Sequence, residues 1–158
     1  MTENYLDVLA ESLEKKIDIL EKIQEYSLLQ QDALRAEDFQ PDVFDEYVDK
    51  KSVLIDELTT LDNGFETLYH NLEQELKDNR EKYSVQIKHL QELVSRVTEM
   101  SVTIQAQEAR NKKKVEEFFS RERSNLARNR KSAKAAYDYY KRVSAPGYTE
   151  PQLYDNKQ

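Results

Sequence analysis

Few side chains in this sequence have the chemistry or the spacing of a catalytic or metal-binding site. None of the 158 residues is a cysteine, so disulfide, thiol and cysteine–metal chemistry are excluded. Histidine is the usual general acid or base near neutral pH and a common metal ligand. His70 and His89 stand in helical patterns without a ligand-like partner nearby, which indicates ordinary helix-surface residues. The sequence therefore predicts no enzyme, no cofactor and no metal site.

Carboxylates are abundant, but they recur at helical spacing on faces that we expect to be solvated, with no loop or cleft to shift their pKa values. Their distribution along the chain is more informative. Residues 1–109 carry 11 Lys and Arg against 25 Asp and Glu, whereas residues 110–142 carry 12 against 4. Blocks of opposite charge predict either that the basic arm docks on the acidic body or that it is offered to an acidic partner.

The basic segment 129–134 (NRKSAK) is similar to the DNA-binding helix of zipper transcription factors. The pattern fails at Ala136 and Tyr137, no leucine zipper follows, and the acidic body would repel phosphates. No apolar run is long enough to span a bilayer, and the N-terminus is acidic where a signal peptide would be basic. We therefore expect a cytoplasmic protein with no nucleic-acid partner and no stable membrane insertion.

The elements that must position any functional residue are helices. The chain contains two glycines and three prolines, and one apolar stripe of helical period runs through almost all of it. The first two helices are predicted at residues 2–36 and 41–77, with Pro41 in the first turn of the second. Lys16, Ser27 and Gln30 interrupt the first stripe, which favours a globular bundle over a strict dimeric zipper.

The third helix is predicted over residues 82–142. Its stripe fades over 105–114, where the only apolar residues are two alanines, and resumes at Val115. Such a helix would be about 90 Å long, so its last part should either protrude from the first two helices or fold back on them. The predicted fold is all-α: one antiparallel three-helix bundle or coiled coil over residues 1–142, with a long, partly protruding C-terminal helix and a flexible tail at 143–158.

With this layout the chain resembles the FlgN-type flagellar export chaperones, among which FliT is the nearest in style. The resemblance rests on an opening amphipathic helix, a short connection into a lysine-then-leucine second helix, a segment of the long last helix that is followed by two phenylalanines, and a tyrosine motif near the end. These features lie at residues 6–34, 35–39 with 46–58, 104–111 with 118–119, and 135–141.

The resemblance implies a cytosolic chaperone without ATPase activity. Its clients would be the hook-filament junction proteins, whose C-terminal helices it would sequester until export. It further implies that the loaded chaperone docks at the gate of the export apparatus through the C-terminal tyrosine segment, for which we single out Tyr139 and Tyr148.

A chaperone can cover the exposed apolar face of a client helix by packing one of its own helices against that face. The fading seam and the aromatic stripe beyond it suit such a reversible, partly polar interface. The predicted client-binding residues are Val115, Phe118, Phe119, Leu126, Tyr137 and Tyr140. The plain alternative is that this stripe packs on the first two helices as core.

A rival function also fits the sequence, namely a structural coiled-coil adaptor whose whole role is dimerisation. A homodimer would fill its seam with itself, whereas a chaperone should leave a groove for a client helix. The oligomeric state in solution therefore separates these two interpretations.

Overall fold

A computed structural model of the chain describes residues 2–37, 39–121 and 126–143. They form four helices: α1 (Thr2–Arg35), α2 (Pro41–Asp78), α3 (Ser84–Arg121) and α4 (Leu126–Val143). No strand occurs within this part of the chain, so the predicted all-α bundle is confirmed. None of the helices in the described ranges is long and apolar enough to cross a lipid bilayer.

The start of α2 is set by the residues that the sequence pointed to. Pro41 occupies its first turn, and Gln40 before it has extended backbone, with φ −108° and ψ 110°. Proline lacks an N–H that would be unsatisfied at this position anyway, and it disfavours helical backbone in the preceding residue. Asp42 adds a negative charge to the first turn, where it favours the helix dipole.

The long third helix of the sequence prediction is two helices in the structure. α3 ends at Arg121, and α4 begins at Leu126 and packs on both α2 and α3. Of the two arrangements that the sequence left open, protrusion and folding back, the structure has the second. The physical reason is that α4 carries its own buried face (Ala136, Tyr139, Tyr140 and Val143), which a protruding helix would leave in water. The residues of the predicted tail that follow Val143 lie outside the described part of the structure.

The helices alternate in direction. Lys16 and then Ser27 of α1 contact Asp62 and then Lys51 of α2, so α1 is antiparallel to α2. Glu21 and then Ser27 of α1 contact Arg96 and then Glu108 of α3, so α1 is parallel to α3. α4 runs beside α2 in the same direction, because its residues 132 and 142 contact α2 at 45 and 56. α1 and α4 each pack on both α2 and α3. They therefore occupy opposite corners of a four-helix arrangement.

The core changes character along the bundle. α4 has 18 residues and spans about 27 Å, whereas α1 has 34 and spans about 51 Å. α4 therefore covers about half of the bundle, beside the C-terminal halves of α1 and α3 and the N-terminal half of α2. The other half is made by three helices within the described residues and is filled mainly by apolar side chains, among them Leu6, Leu9, Leu13, Leu72, Leu76 and Leu90.

Candidate functional site: a polar core beneath the terminal helix

One polar side chain from each helix meets inside the four-helix half of the bundle. We call these four residues, Ser27, Lys51, Glu108 and Tyr139, the polar core. Lys51 Nζ lies 2.7 Å from Glu108 Oε1 and 3.2 Å from Ser27 Oγ, and Ser27 Oγ lies 2.9 Å from Glu108 Oε1. The Tyr139 hydroxyl donates to the other carboxylate oxygen of Glu108. All four are buried, and Lys51 and Ser27 are 0% exposed.

Further buried polar groups extend this network along α1 and α3. Asn111 Nδ2 donates to the backbone carbonyl of Ser27 over 2.8 Å, and its own Oδ1 accepts from Gln107 Nε2 over 3.0 Å. Gln30 Nε2 donates to the carbonyl of Phe44 over 3.2 Å. Because buried polar groups are costly unless they are hydrogen-bonded, these contacts determine the register in which α1, α2 and α3 pack.

The ion pair at the centre is electrostatically expensive. Burial lowers the pKa of Lys51 below its ordinary value, and the charge and hydrogen bond of Glu108 oppose that shift without overcoming it. The Lys51 ammonium also lies 4.4 Å from the centroid of the Tyr139 ring, a cation–π distance. Tyr139 therefore stabilises both members of the pair, by its hydroxyl at Glu108 and by its ring at Lys51.

Two contacts at the periphery also hold α4. Ser132 Oγ lies 2.5 Å from Asp45 Oδ2, and the Arg142 guanidinium pairs with Asp56. Exposed ion pairs such as the second contribute between nothing and about 1 kcal/mol. Most of the free energy that holds α4 must therefore come from its buried face and from the bond between Tyr139 and the polar core.

Tyr140 is as buried as Tyr139, but its environment is the opposite. Its hydroxyl has no hydrogen-bond partner among the described residues. Burial raises the pKa of Tyr140, and the charges of Glu108 and Glu116 raise it further. An unsatisfied hydroxyl in the interface between α4 and the bundle weakens that interface.

We expect opposite effects from removing the two neighbouring hydroxyls. Tyr139→Phe removes a bond to a buried carboxylate and should lower the free energy of unfolding by about 1.5–3 kcal/mol. Tyr140→Phe removes an unpaired group and should leave it unchanged or raise it by about 1 kcal/mol. Urea denaturation followed by circular dichroism measures both, and equal losses in the two variants would show that the two hydroxyls are not in different environments.

Tyr140 also predicts how stability responds to alkali. Its pKa is raised by folding, so the folded chain keeps a proton that the unfolded chain loses above about pH 10, and stability falls there by up to about 1.4 kcal/mol per pH unit. Lys51 has the opposite effect on stability. Its pKa is lowered by folding, so its contribution makes the free energy of unfolding rise with pH up to its ordinary pKa of 10.5. The comparison with Tyr140→Phe isolates the tyrosine: the variant should lose less stability than the parent between about pH 9.5 and pH 11.5.

The residues predicted to bind a client differ in accessibility. Val115 and Tyr140 belong to the apolar core and are 3% and 5% exposed. Phe118 and Phe119 are half-buried, and Tyr137 is 65% exposed. The side chain of Leu126 lies outside the described part of the structure. The fold thus brings the predicted residues to the α3–α4 end of the bundle, with some of them accessible and others covered.

An aromatic cluster forms around the two phenylalanines of α3. Phe118 lies 4.4 Å from Phe39 and 5.3 Å from Phe119, centroid to centroid, and Phe39 lies 6.1 Å from Phe44. Phe39 belongs to the connection between α1 and α2, so the cluster joins that connection to the end of α3. Aromatic residues at the margin of a core provide large contact areas for another helix.

Of the two residues predicted to dock at the export gate, one is buried and the other lies beyond the described part of the chain. Tyr139 is 3% exposed, inside the polar core, and Tyr148 lies outside the described residues.

His70 and His89 are exposed on α2 and α3, as the helical pattern predicted. No group of three or more His, Cys, Asp or Glu residues in the described ranges is arranged to hold a metal ion.

The polar core itself was missed by sequence reasoning, although its signal was present. In the sequence, Ser27 and Gln30 interrupt the first apolar stripe, and the third stripe fades over residues 105–114. In the structure the seam continues there with buried polar side chains, namely Gln107, Glu108 and Asn111. Polar residues at core positions in the stripes of two helices at once are the sequence pattern that predicts such a polar core.

The class of protein that this fold defines is an all-α bundle, whose last helix is docked over a polar core. The FlgN protein family model matches residues 1–143, which spans all four helices. The chain therefore belongs to the FlgN family of flagellar export chaperones, which confirms the resemblance seen in the sequence. Comparisons with curated proteins and with solved structures gave no match.

Proposed function

We propose that this protein is a cytosolic chaperone that binds the C-terminal helices of hook-filament junction proteins and keeps them competent for export. The observation that carries the proposal is the family match over the whole helical bundle. The fold supports it, because a client helix can be covered by a bundle that presents an apolar helical face. The proposal includes no catalytic step, and membership of a chaperone family supports that.

The client helix is proposed to pack between α3 and α4, on the six residues that the sequence singled out. Phe118, Phe119 and Tyr137 are accessible enough for a first contact. Val115 and Tyr140 are buried, so full binding requires α4 to move away from α3. The client then supplies the apolar contacts that α4 gives up, and only the difference between the two sets appears as affinity.

This arrangement links client binding to docking at the export apparatus. Tyr139 is buried while α4 is closed, because its hydroxyl bonds Glu108. Movement of α4 would expose it. An export gate that binds Tyr139 would thereby recognise the loaded chaperone and not the empty one. Tyr148 is the second proposed docking residue.

The test mixes the protein with a C-terminal fragment of a hook-filament junction protein from the same source and measures mass by light scattering after size exclusion. We expect a stable complex, and we expect Phe119→Ala with Tyr140→Ala to weaken it by at least about tenfold, or about 1.4 kcal/mol. Val85→Ala is a matched control, because Val85 is apolar and 77% exposed but lies at the other end of the bundle.

Two outcomes would contradict the proposal. A tight self-dimer that ignores the fragment would favour the structural adaptor instead. A complex that survives the paired substitutions but is lost in Val85→Ala would place the client elsewhere on the bundle. Circular dichroism of each variant verifies that the helices are intact.

A further inference from the structure

An open groove runs along the outer side of α1 and α2, away from the polar core. Its volume is about 610 Å³. Three of its lining residues are apolar, namely Ile19, Val53 and Leu61, and we call these three the floor of the groove. The other lining residues are charged or polar: Lys15, Asp18, Asp56, Glu57 and Thr60. Val53 is 59% exposed, so the groove presents apolar surface to solvent.

The end of α4 lies at the edge of this groove. Asp56 lines the groove and also pairs with Arg142, which is one residue before the end of α4 at Val143. The groove and the last turn of α4 therefore share a side chain. The chain continues from Val143 into residues 144–158, which lie outside the described part of the structure.

α4 runs toward the part of the groove that lies beyond Asp56. α4 runs in the same direction as α2, since its residues 132 and 142 contact positions 45 and 56. Further along α2 in that direction come Thr60 and Leu61, which line the groove about 6–8 Å beyond Asp56. Fifteen residues can span up to about 50 Å, so length is not a constraint.

The composition of residues 144–158 suits the groove. Tyr148, Leu153 and Tyr154 are large and apolar or amphipathic, and Pro146 and Pro151 oppose a helix and favour an extended strand-like path. The segment has one lysine and two carboxylates. With so little charge, its contacts would be mainly apolar, as the floor of the groove requires.

We propose that residues 144–158 dock in cis in the α1–α2 groove, with their tyrosines and Leu153 covering Ile19, Val53 and Leu61. Docking shields an apolar surface that would otherwise attract other chains. It also ties the position of α4 to the groove, because Arg142 joins the two at Asp56. The inference does not depend on which client the chaperone binds.

The absence of cysteine allows a direct test in the full chain. A nitroxide attached to Thr60→Cys would lie at the groove, and its effect on the amide signals of residues 144–158 can be read in ¹⁵N-labelled protein. We expect loss of intensity at the signals around Tyr148 and Tyr154. A nitroxide on Val85→Cys, at the opposite end of the bundle, is the matched control and should leave those signals unchanged.

Two further samples distinguish the occupants. Val53→Glu, added to the Thr60→Cys chain, puts a charge on the floor of the groove and should restore the lost signals. A mixture of spin-labelled chain without ¹⁵N and ¹⁵N chain without label should show no loss. Loss in the mixture would identify a second copy in the groove, and equal effects of the Thr60 and Val85 labels would leave the groove unoccupied; either result overturns the proposal.

Discussion

Replacement of Lys51 by methionine is expected to lower the free energy of unfolding by about 3–5 kcal/mol. Methionine has a similar length and is apolar, so the loss would come from Glu108, which would remain buried without its ion-pair partner. Breaking a buried pair is costly because the remaining charge has neither water nor a counter-charge. Urea denaturation of the variant and the parent at neutral pH measures the difference.

The chain offers a matched control at the next position. Lys50 is exposed, and its Nζ lies 3.9 Å from Glu46 Oε1 and 5.7 Å from the ring centroids of Tyr26 and Tyr47, so Lys50→Met should change stability by no more than about 1 kcal/mol. A combined Ser27→Ala, Lys51→Met, Glu108→Leu and Tyr139→Phe variant should regain most of the stability, because no unpaired side chain of the polar core remains. If Lys51→Met costs no more than Lys50→Met, the polar core does not stabilise the bundle.

Covalent closure of α4 is expected to weaken client binding strongly. Asp45→Cys with Ser132→Cys places two thiols where the side chains now touch, with 2.5 Å between Ser132 Oγ and Asp45 Oδ2. The disulfide would hold α4 on α2 and keep Val115 and Tyr140 covered. We expect the oxidised variant to bind the client fragment at least about tenfold more weakly than the reduced one, or about 1.4 kcal/mol.

Reduction of the same sample is the control, because it restores movement without any change of sequence. Each single-cysteine variant should bind equally well with and without oxidant. Undiminished binding by the oxidised double variant would show that α4 does not open for the client. The client would then use only the accessible Phe118, Phe119 and Tyr137.

The polar core makes movement of α4 less costly than an apolar core would. When Tyr139 leaves, Lys51 and Glu108 remain paired with each other and with Ser27, and water can hydrate them. An apolar surface uncovered in the same way would have no such compensation. A helix held over a polar core is therefore easier to exchange for another helix, which the proposed client binding requires.

Much of the architecture could be predicted from the sequence, because the pattern of apolar residues along a helix reports which face is buried. Pro41 predicted the start of α2, and the scarcity of glycine and proline predicted an all-α protein. The end of α3 at Arg121 could not be predicted in this way. No proline or glycine marks it, and the charged residues around it are equally good in a continuous helix.

The candidate site, like the architecture, could be predicted from the sequence only in part. The sequence determined that the protein is a helical bundle, that its C-terminal third is basic and aromatic, and that its features are those of the FlgN family. Only the tertiary structure decided that α4 folds back, that Ser27, Lys51, Glu108 and Tyr139 meet, and that one neighbouring tyrosine is bonded while the other is not. Periodicity reports which side of a helix is buried, but hydrogen bonds between helices depend on register, which is set only when all four helices pack together.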